Sequence, residues 1–206
     1  VYSKAALVDA FGQYRAAFGA RDHLVLYAVK ANSNLAILKP LADLGCGFDI
    51  VSGGELARVL AAGADPARIV FSGVGKTRRK IEQAHPARIL CFNVESEPEL
   101  VRLSQLAAAA GCRANVSLRV NPDVDAHTHP YISTGLRQDK FGIPHGAALD
   151  LYRKARRLPG VSITGIDCHI GSQLTSAAPF APALDRILAL ADAVSAGGIE
   201  VGHLDV

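Results

Sequence analysis

Y-A-V-K-A-N, from Tyr27 to Asn32, follows the apolar run Leu24, Val25 and Leu26, so a lysine and an asparagine stand where a buried strand is about to end. Alternation along a strand puts Ala28, Lys30 and Asn32 on one face and Tyr27, Val29 and Ala31 on the other. Lysine is among the residues least often fully buried, so an ammonium at this place needs either a partner or a task.

Working outward, the flanks are helical. Leu7, Phe11, Tyr14 and Phe18 recur on one face, with Ser3 placed to cap the start and Gly19 to end it. A second helix is expected over about 34–44, with Leu38 and Leu41 inward, Gly45 as its stop, and Pro40 expected to kink or break it. The alternation then becomes regular. Strands are expected at about 48–51, 69–72, 89–93, 115–121, 161–170 and 200–206, and helices at about 55–62, 77–84, 97–110, 146–157 and 179–196. Ser96-x-x-Glu99, with Pro98 in the first turn, is a capping box opening the helix from 97.

Strands separated by helices pair in parallel through right-handed crossovers, which leaves a doubly wound sheet or a barrel. About seven strands without a nucleotide-binding glycine fingerprint favour an α/β fold of the (β/α)8 TIM type. Eight strands are needed for closure, so the expectation for 1–206 is an incomplete barrel domain, with its eighth strand and a further domain outside these residues.

Composition narrows the partners. The 22 basic and 19 acidic residues give a formal net charge of +3, and no like-charge run exceeds Arg78, Arg79 and Lys80. That distribution disfavours nucleic acid and anionic membranes. No apolar run is long enough to span a bilayer. Cys46, Cys91, Cys112 and Cys168 show no C-x-x-C pairing, which points to free thiols packed in the core of a cytoplasmic protein. His23, His85, His145 and His203 carry no partner pattern and are read as surface or packing residues.

The polar residues gather at the C-terminal ends of the expected strands. Lys30 and Asn32 close the first and Asp49 lies late in the second, while Ser72, Asn93, Arg119 with Asn121, Asp167 with His169, and Asp205 end the later ones. In a β/α barrel those ends form the floor of the active site. The aperiodic stretch 122–142 carries His127, His129, Tyr131, Arg137 and Lys140 and is long enough to be a lid or binding loop. His127-x-His129 lacks a third ligand at characteristic spacing, so no metal site is expected. In His169-Ile-Gly-Ser-Gln173 a glycine turn with a hydroxyl can offer N–H groups and Ser172 to a phosphate, although an ordinary tight turn reads the same way.

Together, Y-A-V-K-A-N-S-N (27–34), F-D-I-V-S-G-G-E (48–55), F-S-G-V-G-K (71–76), C-F-N-V-E-S (91–96), L-R-V-N-P-D-V (118–124), H-P-Y-I-S-T-G-L (129–136), K-F-G-I (140–143) and H-I-G-S-Q (169–173) resemble the diaminopimelate decarboxylases. These belong with ornithine and arginine decarboxylases on an alanine-racemase-like barrel. The resemblance covers essentially the whole chain in order. It implies pyridoxal 5'-phosphate (PLP) as cofactor, decarboxylation of meso-2,6-diaminopimelate to L-lysine and CO2, and a homodimer with a shared active site. By position, Lys30 matches the Schiff-base lysine, His169 the histidine stacked on the cofactor ring, Ser172 the serine at its phosphate, and Arg119 an arginine near its phenolic oxygen. Asp49 and Glu55 match acidic residues around the lysine, with Asn32 beside them. The family's glycine-rich phosphate loop, pyridinium-pairing glutamate, substrate-specifying residues and partner cysteine are expected downstream of Val206.

Each assignment has a plainer rival. Lys30 can pair Asp49, Ser52-Gly-Gly-Glu55 is itself a capping box, His169 can be a core histidine, and Arg119 can neutralise Asp49 or Asp167. Rival functions are decarboxylation of another basic amino acid, racemisation on the same barrel, or a catalytically silent barrel that binds protein.

Overall fold

The computed structural model describes residues 1–124, 141–172 and 174–206. The chain forms two compact units, Val1–Phe92 and Asn93–Val206, with strand β4 (Cys91–Val94) running through the boundary.

The first unit contains α1 (Lys4–Phe18), β1 (Leu26–Ala28), α2 (Leu35–Asp43), β2 (Gly47–Ile50), α3 (Gly53–Ala61), β3 (Ile69–Phe71), α4 (Arg78–Ala84) and the start of β4. β1, β2, β3 and β4 pair in parallel in that order. Phe48, Ile50, Ile69 and Phe71 from these strands are fully buried, as are Leu38 of α2 and Val59 of α3. Strands covered by helices read as apolar runs for this reason.

The second unit contains the rest of β4, α5 (Glu97–Ala109), β5 (Ala114–Asn121), β6 (Ile143–Pro144), α6 (His145–Ala155), β7 (Val161–Asp167), α7 (Phe180–Ala196) and β8 (His203–Asp205). Strand order is β1-β2-β3-β4-β5-β7-β8, with the two-residue β6 beside β5. The order follows the sequence without reversal, which is the winding of a (β/α)8 barrel; a doubly wound sheet doubles back at a switch point. The fold is that of an incomplete TIM-type barrel, as expected.

Local chemistry explains the ends of the elements. Ser3 caps α1 by accepting from the Ala6 N–H, and Gly19 closes it. α2 runs through Pro40 without breaking. Ile37, Leu38 and Leu41 are buried around it, and that burial offsets the single backbone bond a proline removes. The helix stops at Gly45, whose φ of +77° lets its own N–H reach Ala42 O and the Cys46 N–H reach Leu41 O.

Three boundaries differ from expectation. β1 stops at Ala28, and Val29–Ala31 form a 3-10 turn, so strand alternation does not extend to Lys30 and Asn32. β7 ends at Asp167, leaving His169 beyond the strand, and β8 covers only His203–Asp205 of the expected 200–206. β7 also carries a bulge. Val116 pairs Ile163 but Ser117 pairs Gly165, so Thr164 is an extra residue and shifts the register of everything after it. Residues 125–140, with His127, His129, Tyr131, Arg137 and Lys140, lie outside the described residues, as does Gln173.

Candidate active site

In the first unit, Lys30 sits in the turn directly after β1. Fully buried Val29 anchors that turn, and the Tyr27 hydroxyl closes it by donating to Asn32 O at 3.3 Å. Lys30 is exposed, where burial at a strand end was expected. The chain has already left the sheet at Ala28, so the side chain is not flanked by neighbouring strands. Its amine makes no hydrogen bond or ion pair among the described residues.

Asp49 is partly buried on β2, in register with Ala28, two residues before the lysine. Asn32 serves the backbone: its Oδ1 accepts from the Asn34 N–H at 2.9 Å, and Asn34 in turn caps α2. Glu55 also serves a helix end. Its Oε2 accepts from the Val51 N–H at 2.6 Å while its own N–H donates to Ser52 Oγ at 3.2 Å, which is the capping reading of Ser52-Gly-Gly-Glu55.

Sequence reasoning passed over Lys76. It is buried, donates to Gly73 O at 2.7 Å and lies 5.9 Å from the centre of the Phe71 ring. The available signal was its place after Gly73-Val74-Gly75 at the end of a quoted motif.

The second unit gathers charge on adjacent strands. Arg119 on β5, Asp167 on β7 and Asp205 on β8 are in register, and two residues toward the strand starts so are Ser117, Gly165 and His203. Registered neighbours in a parallel sheet project to the same face. The Arg119 Nη1 donates to Glu95 Oε1 at 3.0 Å, and its guanidinium carbon stands 5.6 Å from the Phe141 ring centre. Asn93 on β4 donates from Nδ2 to Asp205 Oδ2 at 2.9 Å. Burial raises the Asp205 pKa above the ordinary carboxylate value, while the Asn93 hydrogen bond, His203 and Arg119 act against that rise. Burial lowers the pKa of His203, against a smaller opposing pull from Asp205.

Ser117 Oγ and Glu95 Oε2 are buried without a hydrogen-bond partner among the described residues. His169 is partly buried beyond β7, and Ser172 is exposed after Gly171, whose φ of +137° favours glycine. The second unit thus brings Arg119, Asp167 and Asp205 into one row. It adds Glu95, Phe141 and His203, to which sequence reasoning gave no site role. Glu95 and Phe141 stood inside quoted motifs, but their pairing with Arg119 depends on strand register.

Residues 4–206 match the pyridoxal-dependent decarboxylase family in its pyridoxal binding domain, and the chain belongs to that family. It is 59% identical over 206 residues to the diaminopimelate decarboxylase of Vibrio cholerae, covering 100% of this chain and 49% of that protein. The corresponding protein of Neisseria meningitidis is also 59% identical, over 100% of this chain and 51% of its own length. The crystal structure of diaminopimelate decarboxylase from Helicobacter pylori complexed with L-lysine superposes with a TM-score of 0.95 at 44% identity, covering 97% of this chain and 51% of that one. The chain therefore spans about half the length of the curated relatives it matches.

Proposed function

We propose that this chain is the cofactor-binding part of a PLP-dependent diaminopimelate decarboxylase that converts meso-2,6-diaminopimelate to L-lysine and CO2. The observation that carries the reading is Lys30: an exposed amine, free of hydrogen bonds among the described residues, in the turn that ends β1 of a barrel-type sheet. Similarity to diaminopimelate decarboxylases along the whole of this chain supports that choice of substrate.

Each unit carries groups that suit part of an aldehyde bearing a phosphate. Lys30 is the covalent anchor for the aldehyde carbon, with Asp49 on the neighbouring strand near its base. The guanidinium N–H groups of Arg119 suit an anionic oxygen. His169 offers an imidazole face, and the Gly171-Ser172 turn offers backbone N–H groups and a hydroxyl to phosphate. When bound, PLP supplies the conjugated electron sink that decarboxylation needs. Lys30 would hold the cofactor's aldehyde carbon through its amine, the group that a substrate amine would have to displace. Arg119 holds orientation through fixed N–H donors. A homodimer with a shared active site belongs to the same proposal, and sedimentation of the full-length protein checks it.

The direct test incubates the full-length protein with PLP, reduces it with borohydride and maps the modified residue, alongside CO2 release from meso-diaminopimelate. A label on Lys30, and loss of both label and turnover in Lys30→Ala with folding retained, are expected. A stable label elsewhere, or near-normal turnover by Lys30→Ala, overturns the reading.

A further inference from the structure

We propose that Glu95 is the positioning residue for Arg119, fixing the guanidinium so that its remaining N–H groups are presented to the cofactor; this rests on the function proposed above. Glu95 comes immediately after β4, and its backbone is held by the start of α5. Its N–H donates to Glu99 Oε2 at 3.2 Å, while the Glu99 N–H donates to Ser96 Oγ at 3.4 Å. The helix cap therefore sets the direction in which the Glu95 side chain leaves the backbone.

That side chain is 1% exposed and the Arg119 side chain 13% exposed, so the ion pair is withdrawn from water. Burying opposite charges is costly unless geometry compensates, and a two-point fork would compensate best. Here the contact has one point. Glu95 Oε1 accepts from Nη1, Oε2 is buried without a partner among the described residues, and the other guanidinium N–H groups make no hydrogen bond among them. Phe141 stands against the guanidinium at cation-π distance. Among the described residues Arg119 is thus held at one nitrogen by Glu95 and flanked by a ring, with donors left over. Toward the described residues the guanidinium keeps donors available, which is what a residue held for an anionic ligand requires.

The test is a double-mutant cycle in the full-length protein, reading PLP affinity of the apo form by absorbance titration, with Tm measured for every variant. Glu95→Ala is expected to weaken binding by about tenfold in the presence of Arg119 and by less than about twofold in an Arg119→Ala background, because coupled residues are non-additive. Glu95→Gln keeps an acceptor at the same place without the charge; it is expected to fall between wild type and Glu95→Ala, and it serves as the measured variant if Glu95→Ala does not fold. A Glu95 effect of equal size in both backgrounds, or a lower Tm with unchanged PLP affinity, assigns Glu95 a structural role and overturns this inference alone. Failure of the wild-type protein to bind PLP overturns the proposed function, and this inference with it.

Discussion

Asn93 donates through Nδ2 to Oδ2 of Asp205 at 2.9 Å, joining residues 112 positions apart. Asn93 is 1% exposed, and the carboxylate it serves is one whose pKa burial raises. Asn93→Ala leaves that oxygen without its amide donor. The expected cost is about 1–3 kcal/mol, read as a lower midpoint in urea unfolding at unchanged slope. A loss below about 0.5 kcal/mol would show that water replaces the amide.

Gly165 makes room for a ring. A Cβ there would lie 2.6 Å from Cδ2 and Cε1 of His203, closer than real side chains approach. Gly165→Ala is expected to destabilise by about 1–3 kcal/mol through overpacking. Combining it with His203→Ala should recover most of that loss in thermal unfolding, since the two effects share one contact. Additive losses would place the strain elsewhere.

Two histidines set an acid limit. Burial lowers the pKa of His203 and of His85 below the ordinary histidine value. A group whose pKa is depressed on folding adds stability above its unfolded value of about 6.5, and loses it as pH falls through the lower folded value. Asp205 has the opposite sign: its raised pKa favours folding in acid and the contribution fades as pH rises through the folded value. Unfolding free energy is therefore expected to decline as pH drops below about 6.5, with a flatter profile in a His85→Gln, His203→Gln double variant. An identical slope in the variant would assign the acid limit to other groups.

Thiol chemistry should divide the cysteines. Burial pushes Cys46 up to about 11 and Cys168 up to about 12, with Asp167 adding to the latter, whereas Cys112 is partly exposed. Because the thiolate is the reactive form, iodoacetamide at neutral pH is expected to label Cys112 first. Cys46 and Cys168 should react only at rates set by opening, and fast labelling of either in the folded protein would contradict their burial.

Local rules reach as far as short-range interactions do. Ser3, Ser52 and Ser96 cap helices and Gly45 stops one because a cap and its target are only a few residues apart. Seven main strands and their parallel winding were legible for a similar reason, since helices between apolar runs allow few topologies. Lys30 was legible as the residue to watch, but its surroundings were not. Apolar character continues through Val29, whereas the sheet ends at Ala28 where the backbone turns.

The pairings that organise the second unit come from tertiary structure alone. Arg119 meets Glu95 across 24 positions, and Asn93 on β4 meets Asp205 on β8 across 112 although β5 and β7 stand between those strands in the sheet; both contacts depend on the register the strands hold. The bulge at Thr164 is part of that register: it brings Gly165 level with Ser117 and Asp167 level with Arg119. Side-chain alternation is set within a strand, so the chain by itself determined which residues share a face only where a strand runs on unbroken, not past Ala28 or across Thr164. Which strand atoms lie opposite one another is decided only when the sheet is assembled.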